Sequence, residues 1–146
     1  MAKVEIHQDA YQTVAYSVRV DAASAPVYER WNRIEEYPSF MEGVREIRWL
    51  DEKRFMLISE AVGMTFESIC EVVLRIPAKR LAWRTLSGPD SSGVACFESV
   101  GAGQTEVTLK MRYDPRGGWT DEAEVKARLG RNLERFKQLV EAGSGH

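Results

Sequence analysis

Few side chains in this sequence of 146 residues are suited to acid–base or nucleophilic chemistry. The only histidines are His7 and His146, near the two ends, so a Ser-His-Asp triad, a histidine base and a histidine-rich metal site are not expected. Cys70 and Cys96 lie in apolar, strand-like runs without a Cys-x-x-Cys spacing, which favours inert thiols in a reducing compartment. We therefore assign no catalytic residue, metal or cofactor from the sequence.

Two glutamates, Glu60 and Glu98, would suit proton transfer if their strands turned them inward. A carboxyl group desolvated in an apolar pocket has a raised pKa, which fits a general acid or base near neutral pH. The direction of both side chains stays open, with a solvated position as the alternative. The arginines that could hold an anionic or enolate oxygen are mostly placed outward by strand alternation: Arg45, Arg48, Arg84 and Arg112.

Charge and hydropathy exclude several classes of partner. The chain has 20 basic and 22 acidic side chains and no cluster of Lys and Arg, so nucleic acid is not an expected partner. No apolar run reaches the roughly 20 residues of a membrane span, and the amino terminus lacks the apolar core of a signal peptide. We expect a cytoplasmic protein whose residues 1–146 form a single domain, with a core of about 12–142.

The elements that must position any site are organised around residues 31–44. Pro38 and Gly43 prevent one regular element there, yet the segment carries six large apolar side chains, too many for a solvated loop. We interpret it as a packed break consisting of a helix end, a helical turn and the start of a strand. The six side chains are Trp31, Ile34, Tyr37, Phe40, Met41 and Val44.

Strand patterns occupy most of the remaining chain. Period-two alternation or β-rich composition predicts strands at residues 13–21, 44–50, 54–61, 64–76, 80–86, 94–100 and 105–113. Ser24 is placed as the N-cap of a short helix, and Asp121 with Glu124 as the capping box of a long one. The long helix has an apolar stripe of Val125, Leu129, Leu133, Phe136, Leu139 and Val140.

Three details of these elements bear on the interior. In the strand at 64–76, Met64 to Ile76 are expected to alternate without interruption, which turns Leu74 and Ile76 inward and Arg75 outward. In the strand at 94–100, either Val94, Cys96 and Val100 or Ala95, Phe97 and Ser99 face inward. Gly130 in the long helix either approaches the sheet closely or is simply exposed.

The order of elements predicts an α+β fold in one layer of sheet and one of helix. A curved antiparallel sheet of about seven strands needs a cover for its dry face, and the long carboxy-terminal helix is the only element of sufficient length. Two short helices lie between strands 1 and 2. This is a helix-grip arrangement.

The sequence resembles the START-like (SRPBCC) superfamily, in its polyketide cyclase/dehydrase and coenzyme Q-binding branch. The resemblance lies in the helix ending at Trp31 and the Tyr-Pro-x-Phe of residues 37–40, in Trp83 with Gly93 and Phe97, and in the run from Gly103 to Tyr113. It covers roughly residues 12–142. It implies the helix-grip fold and an apolar pocket between sheet and helix, but members of the superfamily bind or transform very different apolar molecules.

We expect the lining of that pocket to come from three places, with an ordinary core position as the alternative for each residue. The predicted ligand-binding residues are Trp31, Tyr37, Phe40 and Met41 at the mouth, Phe66, Cys70, Trp83, Phe97 and Met111 on the sheet, and Leu129, Leu133 and Phe136 on the helix.

Three functions agree with these observations. The first is binding or transport of a small hydrophobic ligand of polyketide, lipid or quinone type. The alternative is a polyketide aromatase/cyclase that positions a poly-β-ketone chain for aldol cyclisation, which should place a polar group deep in the cavity. The third is a protein-interaction module, which an exposed apolar patch on the outer sheet face would favour. Whether the protein is an enzyme stays open, and a homodimer is compatible with the sequence.

Overall fold

The computed structural model describes residues 11–61, 63–88, 90–115 and 122–144. The described part contains two α-helices, α1 (Ser24–Trp31) and α2 (Glu122–Ser144), and a 3-10 helix (Ile34–Ser39) between α1 and β2. The strands are β1 (Gln12–Val20), β2 (Val44–Trp49), β3 (Arg54–Ala61), β4 (Met64–Ile76), β5 (Arg80–Thr85), β6 (Ser91–Gly101) and β7 (Gln104–Tyr113).

The strands form one antiparallel sheet in the order β1-β7-β6-β5-β4-β3-β2. Strands β2 to β7 follow one another as successive neighbours, while β1 joins the sheet beside β7. Helix α2 packs against β1 and covers what we call the inner face of the sheet. The predicted α+β helix-grip fold, with two short helices between β1 and β2, is confirmed.

The predicted packed break is also confirmed. Trp31, Ile34, Tyr37 and Phe40 are buried, whereas Met41 and Val44 are half-buried at its end. Fully burying a side chain of this size is worth about 1.5–3 kcal/mol relative to exposure, so four such groups hold the irregular backbone of the segment against the sheet. The short helices therefore belong to the core rather than to a surface loop.

The start of α1 differs from the prediction. Ser24 is the first residue of α1 and not its N-cap; the cap position is Ala23, which makes no side-chain capping bond. The Ser24 hydroxyl instead lies 3.3 Å from the Thr105 hydroxyl on β7, so a tertiary contact replaces the local one. The capping box predicted at Asp121 lies outside the described residues, since the description of α2 begins at Glu122.

Strand β6 begins at Ser91, three residues earlier than predicted. Gly93 therefore lies within the strand. Only a glycine fits there, because a Cβ at Gly93 would lie 2.8 Å from Trp83 Cζ2. Of the two alternatives for β6, the set containing Ala95 and Phe97 faces inward, because both side chains are buried and Phe97 is paired with Val107.

The uninterrupted alternation expected for β4 is wrong at its end. The pairing of β4 with β5 shifts between Val72 and Leu74, which inserts one extra residue and reverses the direction of the side chains that follow. Leu74 and Ile76 are consequently exposed by 39% and 37%, and Arg75 lies opposite the buried Leu81. The sequence does not reveal this bulge, because Val72, Val73 and Leu74 are all apolar and fit either face of the strand.

Gly130 is at a close approach between α2 and the sheet, the first of the two alternatives. It is buried, and a Cβ there would lie 2.8 Å from Cε2 of the Tyr16 ring on β1. Because a glycine at this position lets the helix axis come closer to the strand, the loss of helix propensity of about 1 kcal/mol is offset by packing.

Candidate functional site

One half of the inner face is filled by aromatic rings. Trp31 contacts Phe136 of α2 edge to face with ring centroids 4.9 Å apart, and it also meets Tyr37 at 5.3 Å and Phe40 at 5.9 Å. Phe97 of β6 closes the group at 6.4 Å from Trp31. We call these five residues the aromatic cluster. All are buried, so this half of the interior is ordinary close-packed core.

The Tyr37 hydroxyl is part of the same core. It donates a hydrogen bond of 2.9 Å to the backbone carbonyl of Trp31, which closes the turn between α1 and the 3-10 helix. Burial raises the pKa of Tyr37 well above its ordinary value because the phenolate would be desolvated. The hydroxyl therefore acts as a neutral structural donor.

The other half of the inner face is more open. We define the open half by Leu57 and Ser59 on β3, Phe66 on β4, Trp83 on β5 and Met111 on β7. Leu57 pairs with Ser68 and Ser59 with Phe66, while Trp83 and Met111 flank Gly93. These side chains point to the inner face, yet four are half-buried and Phe66 is 38% exposed. Solvent therefore reaches apolar side chains that alternation directs inward.

Hydroxyl groups accompany this apolar surface. Ser68 is 8% exposed and Ser91 5% exposed, and both belong to the inward sets of their strands. Thr85 Oγ1 donates to the carbonyl of Ser91 at 3.1 Å and accepts its N–H at 3.0 Å, which joins the ends of β5 and β6. The open half thus combines large apolar groups with a few small polar ones, the composition typical of small-molecule sites.

The predicted lining residues separate into these two groups. Trp31, Tyr37, Phe40, Phe97 and Phe136 form the aromatic cluster, and Leu133 (0% exposed), Leu129 (5%) and Cys70 (1%) are buried beside or beyond it. Phe66, Trp83 and Met111 belong to the open half, and Met41 is half-buried at the end of the packed break. The structure brings all twelve to the inner side of the sheet, but only the second group meets solvent there.

The carboxyl groups considered for proton transfer face outward. Glu60 is exposed and lies 3.0 Å from Arg45, and Glu98 is exposed. The arginines predicted to point outward are engaged on the surface, since Arg48 pairs with Glu46 at 2.8 Å and Arg84 with Glu71 at 3.0 Å. Neither glutamate is desolvated in the interior.

Arg75 was missed as an inward residue. Beyond the bulge in β4 its guanidinium carbon lies 5.9 Å from the Trp49 ring centroid, and its Nε donates 3.1 Å to Oδ1 of Asn32 at the end of α1. Only an extra residue in β4 produces this direction, and strict alternation over the 13 residues of β4 predicts the opposite one. Arg75 joins β4 to β2 and α1 at the rim of the sheet.

The two cysteines differ in environment. Cys70 is buried on β4 and burial raises the pKa of its thiol to about 12, which keeps it neutral. Cys96 is half-buried on the outer face of β6. The structure thus places Cys70 as an unreactive core group.

The loop after the packed break is fastened to α2 by polar contacts. The Glu42 carboxylate accepts from Arg131 at both oxygens, at 3.0 and 2.9 Å, and the Glu42 N–H donates 2.8 Å to Oδ1 of the buried Asn132. The Arg131 side chain lowers the pKa of Glu42. These bonds hold the backbone between Met41 and Gly43 against the helix beside the open half.

Two depressions lined by described residues lie elsewhere. One of about 330 Å³ follows the bulge of β4 and is bordered by Lys53 and residues 71–75. The other, of about 290 Å³, lies between the 3-10 helix and α2 and includes Phe40, Arg135 and Leu139. Among the described residues no cluster of His, Cys, Asp and Glu could hold a metal ion. The helices in that part of the chain are also too short or too polar to cross a membrane.

Comparison with known proteins gives consistent matches. Residues 20–139 match the model of the family "Polyketide cyclase / dehydrase and lipid transport". An uncharacterised 17.2 kDa protein of Streptomyces lincolnensis is 29% identical over 133 residues, which is 88% of this chain and 89% of that protein.

Solved structures extend these matches. A crystal structure from Deinococcus radiodurans is 30% identical and covers 90% of this chain and 99% of its own, with a TM-score of 0.74. The Zhui aromatase/cyclase from a Streptomyces species is 20% identical, covering 92% of this chain and 94% of its own, with a TM-score of 0.65. This last likeness concerns the fold alone.

Proposed function

Since the chain belongs to the polyketide cyclase/dehydrase and lipid transport family, with a START-like helix-grip fold, we propose that it binds or transports a small hydrophobic ligand of polyketide, lipid or quinone type between its sheet and α2. The observation that carries the proposal is the open half. Its large apolar side chains point inward yet remain in contact with solvent. In a binding protein such surface is covered when the ligand arrives, which is the source of the affinity.

The division of the interior supports the same site. The aromatic cluster already fills the half near α1, so a ligand would have to lie toward β3, β4, β5 and Met111 of β7. The packed half would form a rigid wall of the site. The loop that Glu42 fastens to α2 would border the ligand on the side of the helix. Of the predicted lining residues, Phe66, Trp83, Met111 and Met41 are therefore the ones we assign to ligand contact.

Filling the open half tests this assignment. The Met111→Trp substitution places a bulky ring on the inner face of β7, and Lys110→Trp, the matched control, places the same ring on the outer face of the same strand. Native mass spectrometry and isothermal titration against an extracted metabolite pool should show retention of an apolar molecule by the wild type and by Lys110→Trp. Met111→Trp should weaken the binding by about tenfold or more, the cost of a displaced ring-sized contact.

The proposal fails if the wild type retains nothing from the pool. It also fails if Met111→Trp binds the retained molecule as tightly as Lys110→Trp does, because the ligand would then lie outside the open half.

A second candidate is a polyketide aromatase/cyclase, which the buried hydroxyl of Ser68 favours. Folding a flexible poly-β-ketone chain into one geometry makes an aldol closure nearly unimolecular, and a single hydrogen-bond donor could orient one carbonyl. Ser68 lies on the inner face between Leu57 and the turn at Gly88, where a Cβ would come within 2.6 Å of its Oγ.

Product analysis distinguishes turnover from binding. A poly-β-ketone chain made in place by a minimal polyketide synthase should give a different ratio of cyclised products when the protein is added, and Ser68→Ala should reduce that change. A product ratio that is unaltered by the wild-type protein would exclude the enzyme and leave the binding protein.

A further inference from the structure

Arg128 of α2 lies beside the Glu42 loop, which is bonded to β3 next to the open half, and it has an unused hydrogen-bond donor. It lies one helical turn after Val125 and one before Asn132, both buried, so its side chain leaves the helix on the flank that faces the Glu42 loop. Its side chain is 33% exposed. The Nε atom, however, is covered and has no hydrogen-bond partner among the described residues.

The neighbouring glutamate does not satisfy this arginine. Arg131 takes both oxygens of Glu42 and also reaches Glu124 at 3.2 Å, whereas Arg128 Nε stays 3.6 Å from the nearer oxygen of Glu42. That contact is ionic but too long for a hydrogen bond. Arg135 adds a further positive charge that acts on the same carboxylate. One carboxylate thus faces three guanidinium groups, and among the described residues only Arg131 donates side-chain hydrogen bonds to it.

The covered Nε–H of Arg128 has lost its hydrogen bond to water, and no hydrogen bond within the described part of the protein replaces it. A guanidinium is always charged and carries five N–H donors in a planar fork, and burying one of these donors without an acceptor destabilises the fold. The second buried donor without a partner, Trp31 Nε1, is enclosed by the rings of the aromatic cluster. Arg128, in contrast, is partly exposed beside Glu42, which follows the half-buried Met41 in the chain.

We infer that Arg128 binds the carboxylate of an otherwise apolar ligand whose body occupies the open half. This rests on the proposed function, and it narrows the ligand class to amphipathic acids. The planar fork matches the two oxygens of a carboxylate, and the partly desolvated position strengthens the pair relative to one on the open surface. The Glu42 contact at 3.6 Å leaves room for this because Arg131 already holds that carboxylate.

A pair of probes that differ only in charge tests the inference. 2-Naphthoic acid and methyl 2-naphthoate share the same apolar body, and tryptophan fluorescence at pH 7.5 follows the binding of each. The wild type should bind the acid about tenfold more tightly than the ester. Added salt should weaken the binding of the acid and leave the binding of the ester unchanged. Arg128→Gln should reduce the acid-to-ester ratio to about one while the ester affinity stays constant.

Two variants separate recognition from support of the loop. Arg128→Lys keeps the charge without the fork and should recover part of the ratio. Arg135→Gln, on the same flank of α2, removes a charge near Glu42 and should leave the ratio unchanged. Circular dichroism establishes that each variant is folded. The salt dependence of acid binding by the wild type tests the same ion pair without any substitution.

The outcomes differ for the two proposals. If the wild type binds acid and ester equally, or if Arg128→Gln keeps the wild-type ratio, the role of Arg128 is refuted while the apolar site stands. If the wild type binds neither probe and retains nothing from the metabolite pool, both proposals fall.

Discussion

Trp31 at the end of α1 and Phe136 in α2 meet edge to face, with ring centroids 4.9 Å apart and an interplanar angle of 87°. They are separated by more than a hundred residues, and their contact joins the short helices to the long one over the sheet. Both are buried, at 1% and 0% exposure. The packed half of the interior depends on this pair, and the open half lies beside it.

Removing one ring should therefore destabilise the whole domain. We expect Phe136→Ala to lower the free energy of unfolding by about 3–5 kcal/mol, since a large buried cavity replaces the ring and its contacts with Trp31 and Phe40. Urea unfolding followed by circular dichroism measures the change. Gln138→Ala, on the exposed side of the same helix, should change it by less than about 0.5 kcal/mol. Equal effects would contradict the assignment of Phe136 to the core.

The contact between Gly130 and Tyr16 predicts an unusual double-mutant cycle. Gly130→Ala should destabilise the wild type by about 1–2 kcal/mol, because the new Cβ would lie 2.8 Å from the Tyr16 ring. In a Tyr16→Ala background the same change should be neutral or stabilising, since only the gain in helix propensity remains. Gly143→Ala, whose Cβ would meet Arg30 at an ordinary 3.7 Å, is the control. Additive effects would show that the ring does not restrict position 130.

The two thiols should react at very different rates. Cys96 is half-buried on the outer face and should be labelled by a disulfide reagent in the folded protein, whereas Cys70 should be labelled only on unfolding. Burial raises the Cys70 pKa from 9.0 to about 12, so its contribution to stability is fully present below pH 9 and is lost as the pH rises toward 12. Cys96→Ser should abolish the fast phase and Cys70→Ser should retain it. A fast phase that survives Cys96→Ser would refute this assignment.

Asp51 in the turn between β2 and β3 should contribute to stability in a defined pH range. Its carboxylate accepts the N–H groups of Lys53 and Arg54 at 2.8 and 2.7 Å, and these bonds with the Arg54 side chain lower its pKa from 3.8 to about 2. Because the folded pKa is the lower one, the stabilisation is present above about pH 4 and is lost as the pH falls to about 2.

Urea unfolding between pH 6 and pH 2 measures this effect. Asp51→Asn should be less stable than the wild type at pH 6, and the difference should shrink as the pH falls. Glu52→Gln, an exposed neighbour in the same turn, should show no such convergence. A difference that stays constant over the whole range would show that the turn does not depend on the ionised carboxylate.

Much of the fold was accessible from residue patterns because those patterns report local physics. Alternation over β7, the stripe of α2 and the packed break at Trp31 each reflect which side of an element avoids water, and all three are confirmed. The pattern failed where a tertiary contact replaced the local rule. Ser24 bonds to Thr105 and not to its own helix, and the bulge at Val72 turns Arg75 inward.

By itself, the amino-acid sequence determined that one sheet with a wet and a dry face is covered by one long helix, because apolar periodicity requires only that each element bury one side. Tertiary structure alone decided which inward residues are core and which stay open to solvent. Trp31 and Trp83 have the same chemistry and both face inward, but Trp31 is enclosed by Tyr37, Phe40, Phe97 and Phe136, whereas Trp83 rests on Gly93 and remains half-buried. Burial depends on what distant parts of the chain bring to the same place, and periodicity does not encode that.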